Sequence, residues 1–531
     1  MGTKVYDNYE DLITFNRNSK GTALRPIGYG DELVTNGTFD TDLTGWTTQS
    51  GTVATVGGEL EFSEENGVVS QNFSTVAGKT YAVSIDYNVG TGNSIRVNVD
   101  GTLRIIALSG SGTWTYVFKD STSGRVIYIY GYCDAGESCT VDNVSVKEVF
   151  FDREGDPLTL FLHPEGVPRI EYDADRNLKG LLIEPDGENK CSQSEDFSTT
   201  WTPLNATITT NDTIAPDGNT TADKLVESAA TASRYVYKTS GIGVSAGVYS
   251  GSVYAKAAER SRLILALWSG ANYELVQFDL SNGTVVQEAV SGIAAITDVG
   301  GGWYRCSVKR TLGAVTTYLS IGPYLNADIG GSLTGGFPSY AGDDTSGIYI
   351  WGAQVETGPI ATSYIPTTTA SVTRNADNIT QTSASSLIGQ TEGTLYVEVD
   401  WRLATGTNQN LVSVNDGTLN NRFTFYIGNS QLNMFAAANG IQLTNQGESY
   451  TGYSGIQKFA FAYADADFEL YRNGSSISSD TVGSLAALAT LTDIDIGQAA
   501  TSVSQANMHI RAVALYPTRL SDAECQALTT L

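Results

Sequence analysis

Histidine occurs twice in the 531 residues, methionine three times and cysteine five times, and these shortages narrow the chemistry available. His163 and His509 stand apart from any Cys, His or carboxylate at the spacing of a zinc site. Cys133, Cys139, Cys191, Cys306 and Cys525 are odd in number, and only the first two lie close together, so they are not a disulfide framework. Cys133 and Cys139 could bridge across a loop, but reduced thiols are expected of a protein folded in the cytoplasm. No apolar run approaches the ~20 residues of a membrane span, and the start, Met1 to Glu10, lacks the apolar core of a signal peptide. Gly2 is no myristoylation signal, because the sixth residue is Tyr6 where Ser or Thr is required. No phosphate loop, dinucleotide fingerprint or β-helix coil period occurs. A glycosidase needs only two carboxylates, and among 57 acidic residues the sequence does not exclude such a pair.

Charge is also scarce and one-sided. Charged residues are 17% of the chain, and 31 basic against 57 acidic ones give a net charge of −26. Such a surface repels nucleic acid and anionic membranes, so neither is an expected partner. The acidity is spread along the chain, which serves solubility; the sharper alternative is cation binding at strand ends.

What is present is glycine, tyrosine and short alternating runs. A chain of this length should divide into about three or four domains, and its composition suits many short strands joined by tight turns. In Leu395-Tyr396-Val397-Glu398-Val399-Asp400-Trp401-Arg402 the apolar residues share one side of an extended chain. Arg422 to Ile427 and Lys458 to Tyr463 repeat the alternation, and Asn473-Gly474 marks a tight hairpin. Ser521-Asp522-Ala523-Glu524 is a capping box that opens one short C-terminal helix. The expected class is all-β: tandem antiparallel β-sandwiches, two of them jelly rolls, with that single helix at the end. Residues 31–149 read as the first jelly roll and 190–374 as the second. Asn36-Gly37-Thr38-Phe39-Asp40 with Trp46 is echoed by Asn189 to Phe197 with Trp201, and the closing strand Val141 to Lys147 by Gly347 to Glu356. Residues 375–531 form a third sandwich. The N-terminal flank, 1–30, and a connecting hairpin region, 150–189, belong to neither jelly roll. The first sandwich is expected to be inserted between them, leaving the flanks as a small stalk or collar that anchors the protein. Pro366 to Ala370 is the expected linker into the third sandwich.

The run Glu392 to Tyr396, the Asp467 to Gly474 hairpin and the tail Ala514 to Glu524 resemble the concanavalin A-like (laminin G-like) domain of tailed-phage structural proteins. Val167 to Asp173, Gly180 to Pro185, Ser194 to Ser198 and Ala215 to Leu225 resemble the hairpin and central sandwich of the same proteins. Glu32 to Asp40 with Trp46, and Val141 to Lys147, are similar to the opening and closing strands of a carbohydrate-binding-module jelly roll. The resemblance implies a virion component of the tail-fibre, appendage or head-fibre kind, made in the host cytoplasm. Its partners would be other virion proteins and host-surface polysaccharide, and its assembly a homotrimer. The alternatives are a capsid or tail decoration without sugar binding, and a polysaccharide-degrading enzyme carrying binding modules.

Two constellations carry chemistry. Tyr128, Tyr130 and Tyr132 alternate with Ile127 and Ile129 on one strand, so the rings would pave one face, where aromatic rings stack on sugars. Trp46, Trp114 and Tyr116 are candidates to extend that surface, or else they fill the core. Weaker cases are Tyr235 with Tyr237, and Tyr349 with Trp351. The resemblance further implies a structural calcium held by Glu32 and Asp142, whose oxygens suit that ion. No Asp-x-Asp-x-Asp-Gly loop supports it. No catalytic residue is assigned.

Overall fold

In the computed structural model the described residues are 14–63, 66–90, 93–107, 110–238, 242–269, 273–327, 333, 336–401, 408–428, 430–449, 453, 455–500 and 505–531. They form antiparallel sheets joined by turns, with an eight-residue α-helix, Asp522–Thr529, near the C-terminus. The chain divides into two compact units. One is Pro26–Pro157; the other joins the described residues through Arg25 to Leu158–Leu531. The sequence expectation set the insert at residues 31–149.

Within Pro26–Pro157, one sheet carries the strands Gly110–Lys119, Thr80–Val89 and Cys139–Phe151. The facing sheet runs Thr47–Ser50, Gly67–Phe73, Arg125–Tyr132, Ser94–Asn98 and Leu103–Ala107. Alternation decides the filling. Ile127 and Ile129 point inward with Val83, Ile85, Val141 and Val146, while their immediate neighbours along the strand point out. Gly131 continues the inward row because the Phe62 ring lies over it. A Cβ there would sit 2.2 Å from Phe62 Cγ.

The larger unit holds two sandwiches. The first packs the sheet of Arg262–Trp268 and Val315–Tyr324 against that of Gly247–Ala257, Trp303–Leu312 and Gly347–Thr357. The Phe39–Trp46 pairing of the small unit has a counterpart here. Both indole N–H groups donate 3.0 Å bonds, Trp46 to the Asn36 carbonyl and Trp201 to that of Gln193. Both accepting residues have φ of 53°. Each Trp also packs on a Phe at 5.4 and 4.8 Å respectively. The sequence echo is therefore an anchor that pins the opening loop of each sandwich.

The second sandwich of this unit packs Phe423, Phe425, Phe459 and Phe461 between its sheets. In Gly455–Ala464 the phenylalanines face in, and Ala460 and Ala462 face out beneath the helix residue Cys525. Asn473 and Gly474, at φ 45° and 86°, make the hairpin turn. The capping box is complete: Ser521 Oγ accepts from Glu524 N, and Glu524 reaches back to Ser521 N.

Among the described residues, the flanks expected as a stalk join the C-terminal sandwich. Thr14–Asn16 pairs with Asn378–Gln381 in one sheet of the C-terminal sandwich, and Leu178–Ile183 pairs with Met508–Tyr516 in the other. The reason is the edge: an uncovered strand exposes unpaired N–H and C=O groups, and the two flanking segments pair with them. The expected linker is also packed, since the Thr367 hydroxyl donates to the Cys191 carbonyl and its amide to Ser194 Oγ.

A buried ionic cluster fastens these flanks. Arg17, Arg169, Glu184, Arg374 and Asp377 have no exposed side-chain surface. Arg17 Nη1 reaches Asp377 Oδ1 at 3.0 Å, Arg169 pairs with Asp377 and, at 2.8 Å, with Glu184, and Arg374 lies 3.5 Å from Glu184. Burial, with Arg169 adjacent, lowers the Arg17 guanidinium to about 10. His163 is buried close by, and desolvation together with Arg25, Arg17 and Arg169 keeps it well below its ordinary value.

Candidate functional site

The strand Arg125–Tyr132 delivers Tyr128, Tyr130 and Tyr132 to the outer face of its sheet, half-buried, while Ile127 and Ile129 are fully buried behind them. The ring centroids are 6.3 and 6.4 Å apart, with interplanar angles of 30° and 12°. The three phenols are thus a regular row. Burial, with Tyr132 and Tyr128 adjacent, raises the Tyr130 hydroxyl pKa and keeps it a neutral donor.

Register places polar groups on both flanks. Tyr128 and Tyr130 lie opposite Ser70 and Val68 on one neighbour, and opposite Asn98 and Arg96 on the other. Gln49 donates to the Ser70 hydroxyl at 2.8 Å. The Arg96 guanidinium sits over the Tyr132 ring, 4.4 Å from its centroid. Rings bordered by amide, hydroxyl and guanidinium groups match what a sugar presents, an apolar C–H face edged by hydroxyls. Arg96, Asn98 and Ser70 were missed in the sequence. Arg96 and Asn98 alternate with Ile95 and Val97, so their outward direction was readable, but not their pairing with the tyrosines.

Neither tryptophan extends the row. Trp46 is buried in the sandwich core. Trp114 is half-buried on the other sheet, stacked on Tyr116 at 5.7 Å, and Tyr116 in turn packs on Phe118 at 6.2 Å. That stack lines the sandwich interior. The correction follows from side-chain direction: Trp114, Tyr116 and Phe118 share the inward face of Gly110–Lys119, whereas the tyrosine row points outward from the opposite sheet.

Glu32 and Asp142 are not brought together. Glu32 Oε1 accepts from the amides of Leu33, Val34 and Val146, and Oε2 accepts from Ser145 Oγ at 2.6 Å. It is held at Ser145 and Val146, beyond the register shift that follows Asp142 on the same strand. Asp142 pairs across strands with Asp86 and lines a shallow hollow with Glu59. Burial and the charges of Glu59, Asp86 and Asp40 raise its pKa. Among the described residues no group of three or more His, Cys, Asp or Glu is arranged to hold a metal ion. The donors available do not compose the calcium cage expected of Glu32 and Asp142.

The other aromatic candidates form closed clusters. Tyr235 packs on Phe337 at 4.4 Å and Tyr237 lies edge-on to Tyr318. Trp351 is buried, and its indole donates to Thr221. Tyr349 lies beneath Lys224. His509, isolated in the sequence, contacts the Glu171 carboxylate through Nε2. No helix among the described residues is long and apolar enough to cross a membrane. All five cysteines are buried and reduced.

No family model matches the chain, and no curated protein matches it. Solved structures with similar arrangements include the tandem CBM22-1–CBM22-2 domain of Xyn10C from Paenibacillus barcinonensis. It is 12% identical, with a TM-score of 0.20, covering 62% of this chain and 98% of that one. Domains LG4-5 of the mouse laminin alpha1 chain are 11% identical at a TM-score of 0.18, covering 66% and 95%. Trypanosoma rangeli sialidase in complex with 2,3-difluorosialic acid is 12% identical at 0.24, covering 91% and 83%. At these scores the likenesses carry nothing about function. By its own sheets, the molecule is an all-β protein of tandem antiparallel sandwiches.

Proposed function

We propose that this protein is an attachment component of a tailed-phage virion, holding host-surface polysaccharide through Tyr128, Tyr130 and Tyr132. The observation that carries the glycan part is the outward row of half-buried phenols, bordered by Arg96, Asn98 and Ser70. The virion part rests on the resemblance of the Asp467 to Gly474 hairpin and the Ala514 to Glu524 tail to tailed-phage structural domains. In this reading the protein is not an enzyme. It is made in the host cytoplasm and joins other virion proteins as a homotrimer, each copy binding weakly and several copies together binding firmly.

Two experiments test the two parts. Negative-stain images of purified virions labelled with an antibody against this chain are expected to show label on fibres or appendages; unlabelled particles end the virion assignment. A glycan array with the purified protein is expected to show binding that the Tyr128→Ala/Tyr130→Ala variant loses. Silence across the array with label retained on particles supports a decoration protein instead. Shortened oligosaccharides after incubation with host polysaccharide support an enzyme.

A further inference from the structure

We infer that Arg96 makes the tyrosine row selective for acidic polysaccharide. A sugar stacked on Tyr128 and Tyr130 would set the carboxylate of a neighbouring uronate unit on the Arg96 guanidinium. This rests on the row being the glycan-binding surface, and adds to it the charge of the ligand.

Charge is distributed unevenly over the small unit. The strands Thr47–Ser50, Gly67–Phe73, Arg125–Tyr132, Ser94–Asn98 and Leu103–Ala107 contain no acidic residue, in a chain that has 57 of them. They contain three arginines, Arg96, Arg104 and Arg125. The facing sheet carries Asp86, Asp142 and Glu148 instead, about 10 Å or more behind the tyrosine face. At physiological salt the screening length is ~8 Å, so those carboxylates oppose an anion on the tyrosine face only weakly.

Two of the three arginines are already neutralised. Arg125 pairs with Asp120, and Arg104 reaches Asp100 at 3.1 Å. Arg96 has no carboxylate partner among the described residues; its contact is the Tyr132 ring, 4.4 Å from the centroid. Asp134 and Glu137, in the turn after Tyr132, are not paired with it, and Glu137 accepts from Asn93 Nδ2 at 2.6 Å. The Arg96 Nε is enclosed, but the terminal Nη groups are not, and they donate to no described residue.

The strand pairing fixes the guanidinium at the edge of the row. Ile95 and Val97 are buried, which turns Arg96 outward and leaves it partly exposed. Arg96 lies opposite Tyr130, and Tyr132 opposite Ser94, so the side chain reaches diagonally along the row to the Tyr132 ring. A guanidinium held over an aromatic face keeps its N–H groups in its own plane, where they can bond at the rim. Two parallel N–H groups match the two oxygens of a carboxylate, and the bonds are charge-assisted. A neutral hydroxyl offers one oxygen and no charge. Tyr132 therefore positions the cation, and Tyr128 and Tyr130 remain for the sugar ring.

Calorimetric titration of the full chain at physiological salt tests this. The acidic probes are tetragalacturonate and tetramannuronate, each set beside its fully methyl-esterified form, which is neutral. At least one acid is expected to bind about tenfold tighter than its own ester. Arg96→Gln is expected to bring acid and ester to the same affinity. Arg96→Lys, which keeps the charge without the fork, is expected to restore part of the difference. Tyr128→Ala/Tyr130→Ala is expected to lose both ligands. Equal affinities for acid and ester in the wild type overturn the selectivity and leave the tyrosine row standing, as does a preference that survives Arg96→Gln. An acid preference unchanged in the tyrosine variant overturns it too, by moving the anion away from the row. Absence of binding to every probe overturns it as well, and the glycan array then decides separately whether the row itself fails.

Discussion

Trp46 lies against Phe39 with its indole N–H on the Asn36 carbonyl, inside the sandwich that displays the tyrosines. Replacing it with Ala leaves a cavity and an unpaired carbonyl. Urea titration of Trp46→Ala is expected to show the Pro26–Pro157 unit destabilised by about 3–5 kcal/mol. A midpoint shift of less than about 1 kcal/mol would contradict the core placement. A second residue sets a pH dependence in the larger unit. Burial, with Asp217 adjacent, raises the Glu195 carboxyl to about 7, and Glu195 accepts a 2.9 Å bond from the Tyr364 hydroxyl. The folded state therefore holds this proton more tightly than the unfolded chain does. Stability contributed by the protonated form is present below the unfolded value of 4.5 and is lost as pH rises from there to about 7. Glu195→Gln is expected to remove that decline, seen as melting temperatures that no longer fall relative to wild type between those values. The alternation of Ile127, Tyr128, Ile129 and Tyr130 made the outward direction of the tyrosines legible in the sequence. Trp46 was not legible in the same way, because it follows a loop of left-handed residues whose side-chain direction obeys no period.

At the scale of elements, the strands best read from sequence were those with one apolar face, such as Leu395 to Trp401 and Phe459 to Tyr463, together with the Asn473-Gly474 turn and the Ser521 cap. Local chemistry alone determines those features. The hairpin of Ile170–Tyr172 with Leu178–Ile183 was legible, but where the flanks dock was not, because those partners are distant. Thr14–Asn16, the Leu178–Ile183 strand and Thr367 are held by residues far along the chain, and nothing in their own composition reveals it. The Arg17–Asp377–Arg169–Glu184 cluster is the energetic signature of that docking. Asp377→Ala would leave two buried guanidinium groups facing each other without a shared anion. It is expected to cost about 3–5 kcal/mol in the larger unit, read from the denaturant midpoint. A loss below about 1 kcal/mol would mean that the cluster is hydrated and unimportant to docking. Ser521→Ala, which removes one half of the capping box, is expected to cost only about 1 kcal/mol.

At the scale of the whole molecule, a chain with net charge −26 that binds neutral sugar by ring contact should do so almost independently of salt. Screening weakens charge–charge attraction and leaves stacking alone. Affinity for a neutral host polysaccharide is therefore expected to change little up to roughly 0.5 M salt, whereas recruitment through Arg96 by an anionic ligand would fade. The most direct measurement is calorimetric titration of the purified chain with host-surface polysaccharide, comparing wild type with Tyr130→Ala. The expected result is a loss of about 1–3 kcal/mol of binding free energy in the variant, with its unfolding midpoint unchanged. Equal affinity for the two proteins would contradict the assignment of the tyrosine row as the surface that grips the glycan.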